Sequence, residues 1–114
     1  MRNYRLYLKD ILEAMTSIQS FIEGMDFDAF IADDKTVSAV VMKLQIIGEA
    51  TKNVPETIRE KYEHVPWRLM AGMRDRLAHG YFEVNYSVVW DTIKNRIPPL
   101  QPIVAQILED MEME

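Results

Sequence analysis

The 114-residue sequence has no cysteine and only two histidines, His64 and His79. Disulfides and thiolate metal sites are therefore excluded, and so few histidines argue against a tight zinc site. No apolar run approaches the roughly 20 residues that span a bilayer. The N-terminus "MRNYRLYLKDILEAM" is interrupted by charged residues, unlike a signal peptide. We expect a soluble cytoplasmic protein without a membrane segment.

Glycine is also scarce, and positive charges are fewer than negative ones. The four glycines are scattered, so the sequence contains no glycine-rich phosphate loop. The chain has thirteen Lys and Arg and eighteen Asp and Glu. The resulting net charge of −5 argues against binding nucleic acid through a positive charge spread over the whole surface. The net charge does not exclude a local basic groove. The middle and late parts of the chain hold five residues that could form one: Arg68, Arg74, Arg76, Lys94 and Arg96. Any contact with RNA is expected at one focused site.

Apolar residues recur at helical spacing along most of the chain, and no stretch alternates long enough to predict a strand. In the first segment they are Tyr4, Leu8, Ile11, Leu12, Met15, Ile18 and Ile22. We predict an all-α bundle of four to five main helices, in a single domain over residues 1–114.

Helix boundaries are predicted from capping residues and prolines. The predicted N-caps are Asp26, Asp33, Asp34 and Asn85, and the predicted first helical positions are Pro55 and Pro66. Together with Asp28, these aspartates could attract magnesium, but their places at helix starts favour capping. In the last segment, Pro98 and Pro99 are predicted to break or kink the helix.

The stretch "WRLMAGMRDRLAHGY" puts an arginine on the apolar side of a helix predicted over residues 66–79. At about 100° per residue, Arg74 lies within the apolar arc, and His79 lies about 140° away. A buried arginine needs an anionic partner, and Glu49 is the leading candidate. The two side chains converge only if the helix ends near Gly80 or if a two-fold dimer completes the pair.

Both residues have structural alternatives. Arg74 could form a structural ion pair with Glu49, and His79 could cap the C-terminus of its helix. His64, in "YEHVPW", is predicted to lie at the surface. Trp67, Phe82 and Trp90 are predicted to lie in the core or a dimer interface rather than to stack on bases, and Gly48 indicates a close approach of helices.

"MRDRLAHGYF" resembles the Arg-x4-His-x-Tyr motif of HEPN domains, in the form typical of HepT toxins, with Arg74, His79 and Tyr81 as its members. The segments "LYLKDILEAM", "LQIIGEATKNVPE", "VPWRLMAGMRDRLAHGYF" and "VVWDTIKNRIPPL" resemble the same family in order and spacing, over essentially the whole chain. Asp75 departs from the pattern, because many members carry asparagine there, and it adds negative charge beside the proposed site.

The resemblance implies a HEPN-like homodimer with a composite site in the interface cleft. It implies a metal-independent endoribonuclease, with no cofactor, that acts as the toxin of a toxin–antitoxin system. The expected partners are RNA and an antitoxin resembling a minimal nucleotidyltransferase, which can transfer AMP to Tyr81. The expected catalytic residues are Arg74 and His79, supported by Glu49 and Asp75.

These residue types suit RNA cleavage without a metal. The ribose 2′-hydroxyl attacks its own 3′ phosphate, and the reaction needs a base, an acid and positive charge on the phosphorane. Imidazole titrates in the required range, and guanidinium matches phosphate oxygens. Two protomers could divide the base and acid roles between their His79 side chains, or one His79 could act with Arg74 and a water.

Two other functions stay open from the sequence. The chain could be a non-catalytic HEPN module that binds a nucleotide or partners a nucleotidyltransferase, with Arg74 in a structural role. It could also be a plain helical dimerisation domain, which would leave Arg74 unexplained.

Overall fold

The computed structural model describes residues 3–73 and 84–113, and both ranges are dominated by helix. The helices are α1 (Tyr4–Phe21), α2 (Phe27–Ala32), α3 (Asp34–Lys52), α4 (Glu56–Lys61), α5 (Trp67–Ala71), α6 (Tyr86–Asp91) and α7 (Ile97–Glu112), with a π-helical turn at Thr92–Arg96. Within the two ranges no β-strand is present, which confirms the all-α class. None of the helices described is long and apolar enough to cross a membrane.

The core forms where α1 packs against both α3 and α7. The apolar stripe predicted for α1 is buried there, at Leu8, Ile11, Met15 and Ile18. Helix α3 contributes Val37, Val40, Leu44 and Ile47, and α7 contributes Ile97, Leu100, Val104 and Ile107. One continuous cluster joins these side chains, because helical spacing places each set on a single face.

Three of the predicted N-caps are confirmed by hydrogen bonds from backbone N–H groups to side-chain oxygens. The bonds are Ala29 N to Asp26 Oδ1 at 2.8 Å, Thr36 N to Asp33 Oδ1 at 3.2 Å, and Val88 N to Asn85 Oδ1 at 3.1 Å. Each satisfies a donor that the first helical turn leaves unpaired. Asp34 is instead the first residue of α3, beside its N-cap.

Pro55 and Pro66 lie one position earlier than predicted, at the N-caps of α4 and α5. Their ψ angles of 148° and 68° lie outside the helical range, so the helices begin at Glu56 and Trp67. Proline fits this position equally well, because no intrahelical N–H bond is needed there.

Asp33 makes the stability of the chain sensitive to acid. Its pKa lies below the ordinary value of 3.8, because the side chain and backbone of Thr36 both donate hydrogen bonds to the carboxylate. A lowered folded-state pKa stabilises the protein at pH values above the unfolded pKa. The contribution is then lost as the pH falls through the folded pKa.

We therefore expect wild type to lose more thermal stability between pH 5 and pH 3 than Asp33→Asn, which keeps the cap without the titration. The measurement is the melting temperature of both proteins by circular dichroism at pH 7, 5 and 3. Parallel decreases in the two melting temperatures would contradict this assignment.

The predicted break at Pro98 and Pro99 is wrong, since the helix continues without a gap from Tyr86 to Glu112. A π-helical turn, Thr92–Arg96, comes directly before the prolines, which fall at the second and third positions of α7. Proline lacks an N–H and crowds the carbonyl four residues earlier. A wider turn with longer-range hydrogen bonding at that place relieves both problems.

The single helix predicted over residues 66–79 is interrupted at Gly72, because α5 ends at Ala71 and Gly72 is its C-cap. Residues 74–79 of that prediction lie outside the described part of the chain. The Gly72 N–H donates to the Arg68 carbonyl at 3.0 Å, and a Cβ at Gly72 would lie 3.3 Å from that oxygen. Glycine disfavours the helical state and permits this tight approach. A wheel drawn as one continuous helix therefore does not apply across Gly72.

Candidate active site

The segment 74–83 carries Arg74, Asp75, His79 and Tyr81, and these predicted site residues lie outside the described part of the chain. The structure describes what flanks the segment. Met73, which precedes Arg74, is 1% exposed in the core, and α5 packs against α3. Val84 packs against the same core on the far side. The residues on both sides of the motif segment, Met73 and Val84, are therefore held by core packing.

A groove of about 390 Å³ lies between α1 and α3, and we call it the α1–α3 groove. It contains Glu49, the one predicted site residue within the described ranges. The lining residues are Tyr7 and Asp10 from α1, with Met42, Gln45, Ile46, Glu49, Ala50 and Asn53 from the α3 side. Two helices therefore bring two carboxylates and a phenol to one concave surface.

Glu49 is not a buried structural anion, since its side chain is 54% exposed. One carboxylate oxygen lies 3.9 Å from Lys52 Nζ, one turn along the same helix, and such an exposed pair contributes about 1 kcal/mol at most. The Glu49 backbone carbonyl accepts a hydrogen bond from Asn53 Nδ2 at 2.8 Å. The carboxylate faces the groove from a regular helix, which fixes its direction of approach. Its predicted contact with Arg74 stays a prediction.

Sequence reasoning did not single out Tyr7 and Asp10. Both lie beside the buried stripe of α1, within the segment "LYLKDILEAM" that resembles the family, but nothing in that segment marked them as site residues. Only the packing of α1 on α3 brings them to the groove that contains Glu49. In the structure both side chains are half-buried at the edge of the apolar stripe, which marks them as groove residues. A helical wheel alone does not distinguish such positions from ordinary surface positions.

The aromatic predictions are confirmed for the two tryptophans. Trp67 is buried, and its indole Nε1 donates to the carbonyls of Arg59 at 3.2 Å and Tyr62 at 3.0 Å. Trp90 is half-buried, with its ring centroid 5.1 Å from that of Phe30. Both packing contacts agree with a structural role. Phe82 lies outside the described residues, as does any contact that it makes.

Three of the basic residues that could form a local groove lie in the described ranges, and all three are exposed: Arg68, Lys94 and Arg96. Lys94 Nζ lies 5.5 Å from the centroid of the Trp90 ring, and Arg96 Nε lies 3.7 Å from an Asp91 oxygen. The two cations on the π-helical turn therefore contact neighbours on their own helix. Arg74 and Arg76 fall in the segment that the structure does not describe.

The remaining predictions concern His64 and metal ligands. His64 is exposed in the turn between α4 and α5, as predicted. Among residues 3–73 and 84–113, no three His, Asp or Glu side chains lie together as a metal site would require. Asp26 and Asp33, the aspartates weighed as magnesium ligands, serve as N-caps instead.

An all-α core, a groove between its first two long helices and an Arg-x4-His-x-Tyr segment next to α5 define a HEPN-like helical domain. The family model described as "HepT-like: Ribonuclease HepT-like" matches residues 11–107, and the chain belongs to this family of HepT-like ribonucleases. The resemblance inferred from the motif is therefore confirmed.

Curated relatives support this membership over nearly full length. A "Putative RNase" of Methanocaldococcus jannaschii is 44% identical, over 99% of this chain and 93% of the relative. A "Putative RNase" of Caldanaerobacter subterraneus subsp. tengcongensis is also 44% identical, over 96% and 97%. A "Probable ribonuclease HepT" of Thermococcus cleftensis is 45% identical, over 88% and 91%. No solved structure matches the chain significantly. The family and these names indicate a ribonuclease.

Proposed function

We propose that this chain is a metal-independent endoribonuclease and the toxin of a toxin–antitoxin pair. The observation that carries the proposal is that the family match over residues 11–107 includes an intact Arg74, His79 and Tyr81 set. A purely structural helical domain does not require an arginine, an imidazole and a phenol at this spacing. The same three residues supply both a reaction and a means to silence it.

In the proposed reaction, the ribose 2′-hydroxyl attacks the adjacent phosphorus, and the bond from phosphorus to the 5′ oxygen breaks. One His79 imidazole accepts the 2′-hydroxyl proton, and a second protonated His79, from the partner protomer, gives a proton to the leaving oxygen. The Arg74 guanidinium neutralises the phosphorane oxygens with its paired N–H donors. This arrangement places two His79 side chains at one cleft and so requires the homodimer.

The α1–α3 groove fits a positioning role rather than RNA binding. It carries the carboxylates of Asp10 and Glu49, which repel phosphate. A carboxylate attracts and orients a guanidinium, and α5, which leads to Arg74, packs against the helix that carries Glu49. We therefore propose that Glu49 orients Arg74 toward the reacting phosphate.

Replacing Glu49 by glutamine should lower kcat for RNA cleavage about tenfold to a hundredfold, which is the cost of a misplaced catalytic group. KM should change little, because the charge that meets RNA is retained. The melting temperature should also stay close to that of wild type, since the Glu49 side chain is 54% exposed. Steady-state kinetics with a fluorogenic RNA and a thermal melt measure all three.

Glu13→Gln is the matched control, because Glu13 is an exposed glutamate of α1 that does not line the groove. It should retain wild-type kcat and KM. Wild-type kcat in Glu49→Gln would remove Glu49 from the site. A lowered melting temperature with unchanged kcat would assign it a structural role instead.

The proposed regulation acts at the same cleft. A nucleotidyltransferase-like antitoxin would attach AMP to Tyr81, two residues beyond His79. The bulky anionic group would then exclude RNA by size and by like charge. The proposal thus includes three partners, which are RNA, a second copy of the chain and the antitoxin.

The decisive experiment is cleavage of a labelled RNA by the purified full-length chain in EDTA. We expect products that end in a 2′,3′-cyclic phosphate, since the 2′-hydroxyl is the nucleophile. Cleavage that starts only when magnesium is restored would contradict the metal-independent mechanism. RNA binding without cleavage under either condition would favour the non-catalytic module.

A further inference from the structure

A second concave surface lies between the turn after α4 and the last helix. We call it the α7 groove, and its volume is about 300 Å³. It is lined by Tyr62, His64, Pro102, Ile103, Gln106, Ile107 and Asp110. It combines an apolar wall, an aromatic ring and one carboxylate.

The carboxylate of Asp110 is the polar centre of the α7 groove. Its Oδ2 accepts a hydrogen bond from the Tyr62 hydroxyl at 3.3 Å, and its Oδ1 accepts one from Gln106 Nε2 at 2.9 Å. An ionised carboxylate offers about four acceptor sites, so these two bonds leave capacity for further donors. The two neighbours also hold the plane of the group, which favours a ligand with two parallel N–H bonds.

The remaining walls suit an extended aliphatic and planar group. Ile103 is half-buried and presents apolar surface to the groove, whereas Ile107 is 1% exposed and belongs to the core beneath it. The Tyr62 ring already attracts positive charge, since Lys61 Nζ lies 5.7 Å from its centroid. Alkyl stems pack on such walls, and cations lie over such rings.

Charge around the α7 groove decides between anionic and cationic ligands. The segments 60–64 and 106–112 hold five acidic residues, Glu60, Glu63, Glu109, Asp110 and Glu112. The basic residues are fewer: Lys61 lies in the same segments, Arg5 Nη2 donates to the Met111 carbonyl at 3.3 Å, and His64 lines the groove. The negative potential of such a surface repels nucleic acid and attracts a basic partner.

We propose that the α7 groove binds an arginine side chain presented by a partner polypeptide. The guanidinium donates two parallel hydrogen bonds to Asp110 and lies against the Tyr62 ring, while the aliphatic stem packs on Ile103. Lysine fits less well, because a compact ammonium makes neither the paired bonds nor the stacked contact. This inference is independent of the proposed ribonuclease activity.

The test titrates the isotope-labelled full-length chain with Nα-acetyl-arginine amide and follows the Tyr62 ring and Ile103 methyl signals by NMR. The neutral isostere Nα-acetyl-citrulline amide and the lysine analogue are titrated in parallel. We expect saturable shifts with arginine and an affinity about tenfold weaker for citrulline, which lacks the charged hydrogen bonds. The lysine analogue should fall between them.

Asp110→Asn should abolish the arginine-induced shifts, because it removes the charge and keeps the shape. Glu109→Gln is the matched control, since it removes one charge from the same helix outside the α7 groove, and it should retain them. Ile103→Lys, which places a cation in the groove, should abolish them independently of Asp110.

Three results would overturn the proposal. The first is equal affinity for arginine and citrulline, and the second is unchanged shifts in Asp110→Asn. The third is the same Asp110-dependent shifts on titration with a single-stranded RNA, or on raising the protein concentration alone, which would indicate RNA or a second copy as the occupant.

Discussion

His79→Ala is expected to reduce RNA cleavage in EDTA by about 10²- to 10⁴-fold, the usual contribution of a positioned general acid or base. Imidazole can both accept and donate a proton near neutral pH, whereas alanine can do neither. Binding of RNA should weaken much less, because the variant keeps Arg74, the residue proposed to contact the phosphate. The measurement is single-turnover cleavage of a labelled RNA, with RNA affinity determined separately by fluorescence anisotropy.

His64→Ala provides the matched control, since His64 is the other histidine of the chain and is exposed in the turn between α4 and α5. Its cleavage rate should equal that of wild type. Equal activity in the His79 variant would remove the catalytic role. Equal growth arrest by wild type and His79→Ala in cells would remove the role in toxicity.

Mixed dimers of wild type and His79→Ala separate the two ways of using the histidine. If one His79 is the base and the partner's is the acid, only homodimers of wild type cleave RNA. Activity after subunit exchange should then follow the square of the wild-type fraction. A linear dependence would mean that one His79, with Arg74 and a water, suffices at each site.

Tyr81→Phe is expected to keep full cleavage activity and to escape silencing by the cognate nucleotidyltransferase. In the modification, the phenol oxygen attacks the α-phosphorus of ATP, pyrophosphate leaves, and the phenol proton passes to solvent or base. Phenylalanine has the same ring without the nucleophile. Co-incubation with the transferase and ATP, followed by intact-mass measurement and a cleavage assay, reports modification and activity together.

Tyr86→Phe is the matched control, because Tyr86 is an exposed tyrosine at the start of α6. It should still gain AMP and lose activity with the transferase. A silenced complex in which Tyr81 is unmodified would contradict the proposed switch. Modification of Tyr81 without loss of cleavage would show that the AMP group does not cover the site.

The buried faces and the N-caps of the helices were predictable from the sequence. The buried stripe of α1 and the N-caps at Asp26, Asp33 and Asn85 follow from spacing and short-range hydrogen bonding, which depend on neighbouring residues only. The family was predictable for a related reason, since Arg74, His79 and Tyr81 form a contiguous motif that needs no folding to recognise.

The predictions that failed concern positions where the backbone can adopt more than one local conformation. Pro98 and Pro99 predict a break, yet a π-helical turn at Thr92–Arg96 lets the last helix continue, because packing of the buried Ile93 and Ile97 favours one unbroken element. Gly72 is tolerated inside many helices, but here the chain ends α5 at Ala71. Whether a helix continues or ends at such a proline or glycine depends on whether core packing outweighs the unfavourable helix propensity of that residue.

By itself, then, the sequence determined the helical class, the family and the residue types available for chemistry, because short-range spacing and side-chain chemistry carry that information. Tertiary structure decided which distant residues share a surface. The packing of α1 on α3 brings Tyr7 and Asp10 to the groove that contains Glu49. The turn after α4 brings Tyr62 to Asp110, 48 positions away. Such pairs arise only when helices bury their apolar faces against one another.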